Sequence, residues 1–431
     1  MHYFSTNRSS PTVSFREALL HGQPADRGLY FPGEIPKLSR EFLAGIPNRS
    51  NEQIAFHVIQ PYVDGSIPDA ELFDICAETI NFPFPLVKIS GRISSLELFH
   101  GPTLAFKDVG ARFMSRCLQH FLADDPKKTI VVVATSGDTG GAVAAGFHGI
   151  ENLEVVVLYP KGKVSKVQEL QLTTLGLNVT ALEVCGTFDE CQALAKRALA
   201  DTEIKSKANL TSANSINIAR WLPQQFYYFY ALKQWIDGEP PVFSVPSGNF
   251  GNLAAGVVAH RSGMPVKKFI AATNANDVVP RFFVSREYKP NPTVPTLSNA
   301  MDVGDPSNFV RLLELFDHDT GELKKRVDAI SISDAATVET MREVHDSCGY
   351  ILDPHGAVAY RALKKYLDDH PEERGIFLET AHPVKFDSVE DILHTSPDSP
   401  KATEELFSRE KVSLEIDVDY ADVRDILVSK I

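Results

Sequence analysis

Five short stretches of this chain combine residue types and spacings that can do chemistry. In HGPTLAFKDVGARF (100–113), Pro102 and Thr103 can open a helix that carries Lys107 in its first turns. Alone, Lys107 reads as most lysines do, a solvated side chain laying its stem along Phe106. At the positive end of a helix, beside loops that seat anions, it is instead pushed toward the neutral amine. That is the form Schiff-base chemistry requires.

TSGDTGG (135–141) and SGNFGN (247–252) are two such loops. Each follows a run of β-branched residues and precedes a helix of small residues, so backbone N–H groups and the helix dipole converge on one point. Thr135, Ser136 and Thr139 add hydroxyl donors to the first, and Asp138 adds a carboxyl group. Ser247, Gly248, Asn249, Phe250, Gly251 and Asn252 form the second, which suits a phosphate dianion without a nearby cation. Either alone could be just a tight connection, but two of similar build make that reading of both weaker. No GKS or GKT follows the first loop, and the second does not read GxGxxG, so neither is a nucleotide fingerprint.

SANSINIAR (212–220) offers Ser212 or Asn214 as a helix cap, the preferred reading of both, and Arg220, whose guanidinium binds phosphate bidentately. LETAHPVKF (378–386) offers Thr380 as a neutral hydroxyl. His382 there can act as acid or base, although packing is the preferred reading.

The elements that must position these stretches are legible from residue 129 onward. Runs of β-branched residues (129–134, 153–160, 178–184, 242–245, 267–274) alternate with helical patterns (140–149, 166–176, 188–200, 218–235, 252–263). This is the signature of parallel sheets covered by helices. At 431 residues the chain exceeds what one core usually organises. The expected division is a folded N-terminal extension (1–90), a first α/β lobe (91–237) and a second (238–431). DGEPP (237–241) links the lobes, and a helical insertion lies at about 285–345.

The composition narrows the function class. With 43 Lys and Arg against 56 Asp and Glu, the formal charge of −13 disfavours nucleic acid and anionic membranes as partners. An anionic ligand would need a locally basic site. Five scattered cysteines without a CxxC pair fit reduced thiols, and neither a membrane-length apolar run nor a secretory leader is present, so a cytoplasmic protein is expected.

In their order, ELFHGPTLAFKD (97–108), TSGDTG, SANSINIAR, SVPSGNFGN, SNAMDVGDPSN (298–308) and ETAHPVKF resemble the blocks of the fold-type II pyridoxal-phosphate enzymes, and within them the threonine synthases. The resemblance runs from the segments FREALLHG and GLYFPGEIP (15–36) to near the C-terminus. It implies two parallel-sheet lobes of the tryptophan synthase β type, with pyridoxal 5'-phosphate carried on Lys107 as a Schiff base. The loop Ser247–Asn252 would hold the cofactor phosphate, Asp138 would approach its phenolic oxygen, and Thr380 would face its pyridine nitrogen. Thr135, Ser136 and Thr139 would hold the substrate carboxylate, while Asn214, Ser215 and Arg220 would hold a substrate phosphate, with Asn217 a weaker candidate. Asp138 stands where many relatives have Asn, which leaves its protonation open. Lys163, in YPKGKVS, could add positive charge.

The implied activity is that of a carbon–oxygen lyase converting O-phospho-L-homoserine and water to L-threonine and phosphate, the last step of threonine biosynthesis. The small-molecule substrate is the only partner expected, with the chain a monomer or homodimer. Three alternatives remain at this level. A phospholyase would release a keto acid from the same kind of substrate, a serine or threonine dehydratase would handle an uncharged side chain, and a non-catalytic anion-binding protein would form no lysine adduct.

Overall fold

In the computed structural model, which describes every residue except Asp124, the β-branched runs pair into two parallel sheets. The first sheet orders its strands as Leu414–Ile416, Val179–Val184, Leu153–Pro160, Thr129–Ala134 and Asn209–Ser212, all parallel. Thr129–Ala134 is buried at every position, as a strand covered on both faces must be, and its Val131 pairs with Val155 on one side and Thr211 on the other. The second sheet runs Val327–Ser331, Lys268–Thr273, Val242–Pro246, Gly375–Glu379, Ile93–Glu97 and Leu86–Lys88, parallel except for the last pair.

These pairings redraw the expected division at three points. Strands 86–88 and 93–97, assigned to the extension and first lobe, belong to the second sheet, and the C-terminal strand 414–416 belongs to the first. Each lobe is therefore closed by chain from the other's sequence region. Within 285–345, Val327–Ser331 pairs with Lys268–Thr273 and Asp334–Cys348 packs on Pro354–Asp369, so the sheet pattern resumes there. The irregular part is confined to the earlier residues of that stretch.

The extension is folded. Tyr3–Ser5 pairs antiparallel with Tyr30–Pro32, and the helices Phe15–His21, Asn51–Val63 and Asp69–Thr79 bury Phe15, Ile54, Val58, Tyr62, Leu72 and Ile75 in the largest apolar cluster. Ser14 with Glu17, and Ser50 with Gln53, form reciprocal capping boxes that start two of these helices. The run 218–235, expected as one helix, is broken: Ile218–Trp221, a tighter turn Leu222–Gln225, then Phe226–Gln234. Pro223 lacks the N–H that a continuous helix would use. All five cysteines are free.

Every chemically capable stretch emerges from the carboxyl end of a parallel strand. The Lys107 segment follows 93–97, TSGDTGG follows 129–134, SANSINIAR follows 209–212, SGNFGN follows 242–246, and Thr380 follows 375–379. Strands 242–246, 375–379 and 93–97 are neighbours in the second sheet, as 129–134 and 209–212 are in the first. Ligands of open α/β sheets bind at these ends.

Candidate active site

Lys107 is the first residue of the helix Lys107–Leu122, which begins later than Pro102 and Thr103 suggest. Residues 102–106 instead form a tight approach with Leu104 in the left-handed region (φ 57°). Asp108 fixes this turn, accepting from the Thr103 N–H at 2.9 Å and the Thr103 hydroxyl at 2.5 Å. The turn is clipped to the end of strand 375–379, because Phe106 N–H donates to Thr380 O (2.9 Å) and His382 N–H to Leu104 O (3.0 Å). Thr380, itself buried, is thus held beside the residue that precedes Lys107. Burial lowers the Lys107 ammonium below its ordinary range. Asp138 opposes that shift, whereas Lys385 and Arg220 reinforce it.

Lys385 is the main residue that sequence reasoning missed. Although fully buried, it sits 2.7 Å from Asp138 Oδ1 and donates to Thr103 O at 2.7 Å, tying the loop after strand 375–379 to the other lobe. Gln168 Nε2 donates to the same Asp138 oxygen at 3.0 Å. Burial alone would raise the Asp138 pKa, but Lys385 and then Lys107 hold it well below the usual carboxylate range, so Asp138 is ionised. Its lysine was visible as a charge set among apolar neighbours in PVKF, the one available signal.

In TSGDTGG, Gly137 adopts φ 145°, and a Cβ there would lie 2.6 Å from the Gln168 side chain. The Thr135 hydroxyl accepts from Gly137 N–H (3.0 Å) and Gly140 N–H (2.9 Å) and donates to Gly137 O (3.0 Å). Thr135 therefore shapes the loop, its hydroxyl engaged with Gly137 and Gly140. Ser136 and Thr139 are half-buried and outside this network.

The loop 247–252 opens the helix Gly251–Arg261, whose first N–H groups have no acceptor within the helix. Phe250 sits in the left-handed region (φ 62°), and a Cβ on Gly248 would meet Met301 Cα at 2.6 Å. Ser247 is committed through its hydroxyl to Val245 O (2.8 Å) and through its N–H to Ala272 O (2.8 Å). Asn252 Oδ1 accepts from Tyr228 (2.9 Å), which leaves its buried Nδ2 without a partner. Asn249 spans the lobes, Nδ2 donating to Ser215 Oγ at 2.8 Å.

Arg220 is 3% exposed and lies against Gly110 of the Lys107 helix. It donates through Nη1 to Ala213 O, while its buried Nε and the buried Oδ1 of Asn214 have no partner. Burial lowers its pKa to about 10, with Tyr227 and Asp108 opposing, so it remains a cation. Asn217 is a cap: its Oδ1 accepts from Ala219 N–H, and its Nδ2 donates to Leu19 O and Ser212 O. His382 caps the turn at Pro383–Lys385, and burial lowers its pKa to about 4, which supports packing. Lys163 is exposed on a turn.

The orphaned donor at Asn252, the side-chain-free approach at Gly248, and a lysine held toward its neutral form fit a phosphorylated carbonyl cofactor. With two parallel sheets contributing these loops at their carboxyl ends, the site defines a pyridoxal-phosphate-dependent enzyme of fold type II. Residues 88–378 match the family described as "Pyridoxal-phosphate dependent enzyme", residues 2–80 "Threonine synthase N terminus" and residues 356–427 "Threonine synthase, C-terminal". The chain is 44% identical to threonine synthase of Serratia marcescens over 93% of each chain. Among solved structures, threonine synthase of Escherichia coli superposes with TM-score 0.93 at 42% identity over the whole of both chains. A PLP-bound threonine synthase of Brucella melitensis superposes with TM-score 0.92 at 34% identity, covering 100% of this chain and 99% of that one. The chain belongs to the threonine synthase family.

Proposed function

We propose that the enzyme converts O-phospho-L-homoserine and water to L-threonine and inorganic phosphate, and that Lys107 serves as both cofactor anchor and mobile base. The observation that carries this reading is the convergence of a lysine held toward its neutral amine with the buried, partly unpartnered guanidinium of Arg220. Bound pyridoxal phosphate supplies the electron sink that makes the Cα and Cβ protons of the substrate acidic.

The chain's own residues do the rest. Lys107, once displaced by the substrate amine, takes the Cα proton and then a Cβ proton, both within reach of one flexible arm. Arg220, Asn214 and Ser215 hold the substrate phosphate and stabilise the charge it gains on leaving. Ser136 and Thr139 hold the substrate carboxylate on a loop that Thr135 keeps in shape. The loop 247–252 receives the cofactor phosphate through backbone N–H groups and Asn252 Nδ2. Asp138 would approach the cofactor's phenolic oxygen and Thr380 would face its pyridine nitrogen. The enzyme is proposed to work in the cytoplasm as a monomer or homodimer. No helix among the described residues is long and apolar enough to cross a membrane.

Three experiments test this. Borohydride reduction of the holoenzyme followed by peptide mass spectrometry should place the adduct on Lys107. Incubation with O-phospho-L-homoserine should yield threonine, and release of only 2-oxobutyrate and ammonia would refute the synthase reading. Arg220→Ala should raise KM for that substrate about 10- to 100-fold, matching the roughly 1.5–3 kcal/mol of a hydrogen bond to a charged group. A dehydratase acting on an uncharged side chain would lose little.

A further inference from the structure

Arg311, which the sequence motifs do not single out, is wholly buried in the helix Phe309–Glu314. Its guanidinium makes five hydrogen bonds, every one to a neutral oxygen. Nε and Nη2 donate to Tyr30 O (3.3 and 3.0 Å), Nη2 to Ile216 O (2.7 Å), and Nη1 to Ser215 O (3.2 Å) and Asn308 Oδ1 (2.8 Å). Its face lies 4.4 Å from the Trp221 ring. Burial lowers its pKa to about 9, and no acid opposes that shift. Glu314, on the same helix, is engaged with Arg8 and His318 instead.

A sealed cation normally has a carboxylate partner, because an uncompensated one costs several kcal/mol. What surrounds Arg311 is the phosphate machinery. Asn308 Nδ2 donates to Ser215 Oγ (3.3 Å), and that oxygen also receives Asn249 Nδ2 from the other loop. Trp221, stacked under the guanidinium, donates through Nε1 to Gly251 O (3.1 Å) at the head of the phosphate-receiving helix. Thus one guanidinium reaches Asn249 through Asn308 and Ser215, and Gly251 through Trp221. In a chain of charge −13 it supplies local positive charge beside these loops.

We propose that Arg311 is a positioning residue whose missing counter-charge is a phosphate monoester bound in front of it, so that the phosphate completes a charge pair the protein leaves half-built. This rests on the reading of loops 214–217 and 247–252 as phosphate seats. The monoester is that of the cofactor or of the substrate. A dianion arriving there gains the attraction of a charge already fixed by five hydrogen bonds, with no reorganisation of the protein.

Arg311→Gln keeps two donors and removes the charge, and Asn308→Asp keeps Arg311 and places a carboxylate beside it. In Arg311→Gln apoenzyme, titrations with pyridoxal phosphate and with pyridoxal, which lacks the phosphate, are compared by absorbance. If the cofactor phosphate is the partner, affinity for pyridoxal phosphate falls at least tenfold while that for pyridoxal changes less than twofold. If the substrate phosphate is the partner, both affinities hold and KM for O-phospho-L-homoserine rises at least tenfold with kcat little changed. Equal loss of both affinities, or no change in either affinity or in KM, overturns the proposal in favour of a structural clip. Asn308→Asp, useful if Arg311→Gln does not fold, should keep or raise the melting temperature of the apoenzyme while shrinking the rise induced by inorganic phosphate. An undiminished phosphate-induced rise overturns it. The cofactor titration stands even if wild-type enzyme makes no threonine, so failure of the activity and failure of this inference are separable.

Discussion

Asp138 and Lys385 set the electrostatics around Lys107. Removing one member of a buried pair strands the other, at a cost of about 3–5 kcal/mol, whereas removing both charges together costs far less. Lys385→Met should therefore destabilise the apoenzyme by about 3–5 kcal/mol in urea unfolding, and Asp138→Asn in the same chain should restore much of that loss. The pH dependence follows from sign. In wild type the Asp138 pKa is depressed, so its stabilising effect is complete above the unfolded value of about 3.9 and is lost only as pH falls through the lower folded value. In Lys385→Met, Asp138 keeps Lys107 but loses the stronger of the two cations that oppose burial, so its pKa rises from the wild-type value and part of the loss is recovered as pH drops from 8 to 5 and the carboxyl takes up a proton. A deficit constant across that range would show that Asp138 is not stranded. The Lys107 amine reads the same pair: Lys385 favours its neutral form and Asp138 opposes it, a balance that an asparagine at position 138 would not provide.

At the scale of elements, the turn 247–252, proposed to receive the cofactor phosphate, is tightly constrained by its surroundings. A Cβ on Gly248 would stand 2.6 Å from Met301 Cα and 3.1 Å from Ala300 O, both backbone atoms that no rotamer change can move. Gly248→Ala should cost about 1–3 kcal/mol by overpacking. It should also weaken pyridoxal phosphate binding more than pyridoxal binding, as read by fluorescence titration, because the displaced backbone is the one proposed to face the phosphate. An unchanged cofactor affinity would place the phosphate elsewhere. This turn was legible in the sequence, since glycines between a β-branched run and a small-residue helix state their purpose locally. The parallel strands were legible for the same reason, being continuous apolar runs. Strand Ile93–Glu97 was assigned to the wrong lobe because ISSLE is short and half polar, and nothing within it records which sheet it will join. Lys385 and Arg311 were missed because their meaning lies in partners remote in sequence: Asp138 and Thr103 for one, Tyr30, Ser215 and Ile216 for the other. Each leaves the same trace, a long cation embedded in apolar neighbours, as in PVKF and FVRLL. The break at Pro223 was in plain view, where the periodicity of the flanking aromatic residues masks the missing donor.

Across the whole molecule, the two lobes are interlocked by exchange of chain ends, and the N-terminal extension is part of the active-site support. Leu19 O accepts from Asn217, and Tyr30 O accepts from Arg311, so carbonyls of residues far from the cleft hold the segment that presents Ser215 and Arg220. The C-terminus plays the matching part for the first lobe. Leu414–Ile416 forms its edge strand, and the helix Tyr420–Ser429 packs on the helix Phe188–Ala200, burying Ile416, Tyr420, Val423 and Leu427 in a cluster with Val184, Cys191 and Leu194. Each large apolar side chain withdrawn from water contributes about 1.5–3 kcal/mol, an upper bound because the unfolded chain is itself partly compact. Ending the chain at residue 408 should then remove several kcal/mol, comparable with the roughly 5–15 kcal/mol that holds a domain folded. The sheet carrying strands 242–246 and 375–379 keeps all of its strands in that truncation. Hydrogen exchange should consequently show amide protection falling first in Thr129–Ala134, Leu153–Pro160 and Val179–Val184, with Val242–Pro246 retained until global unfolding. Equal loss of protection in both sheets would mean that the lobes unfold as one cooperative unit, with the exchange of ends coupling them more tightly than their separate cores imply.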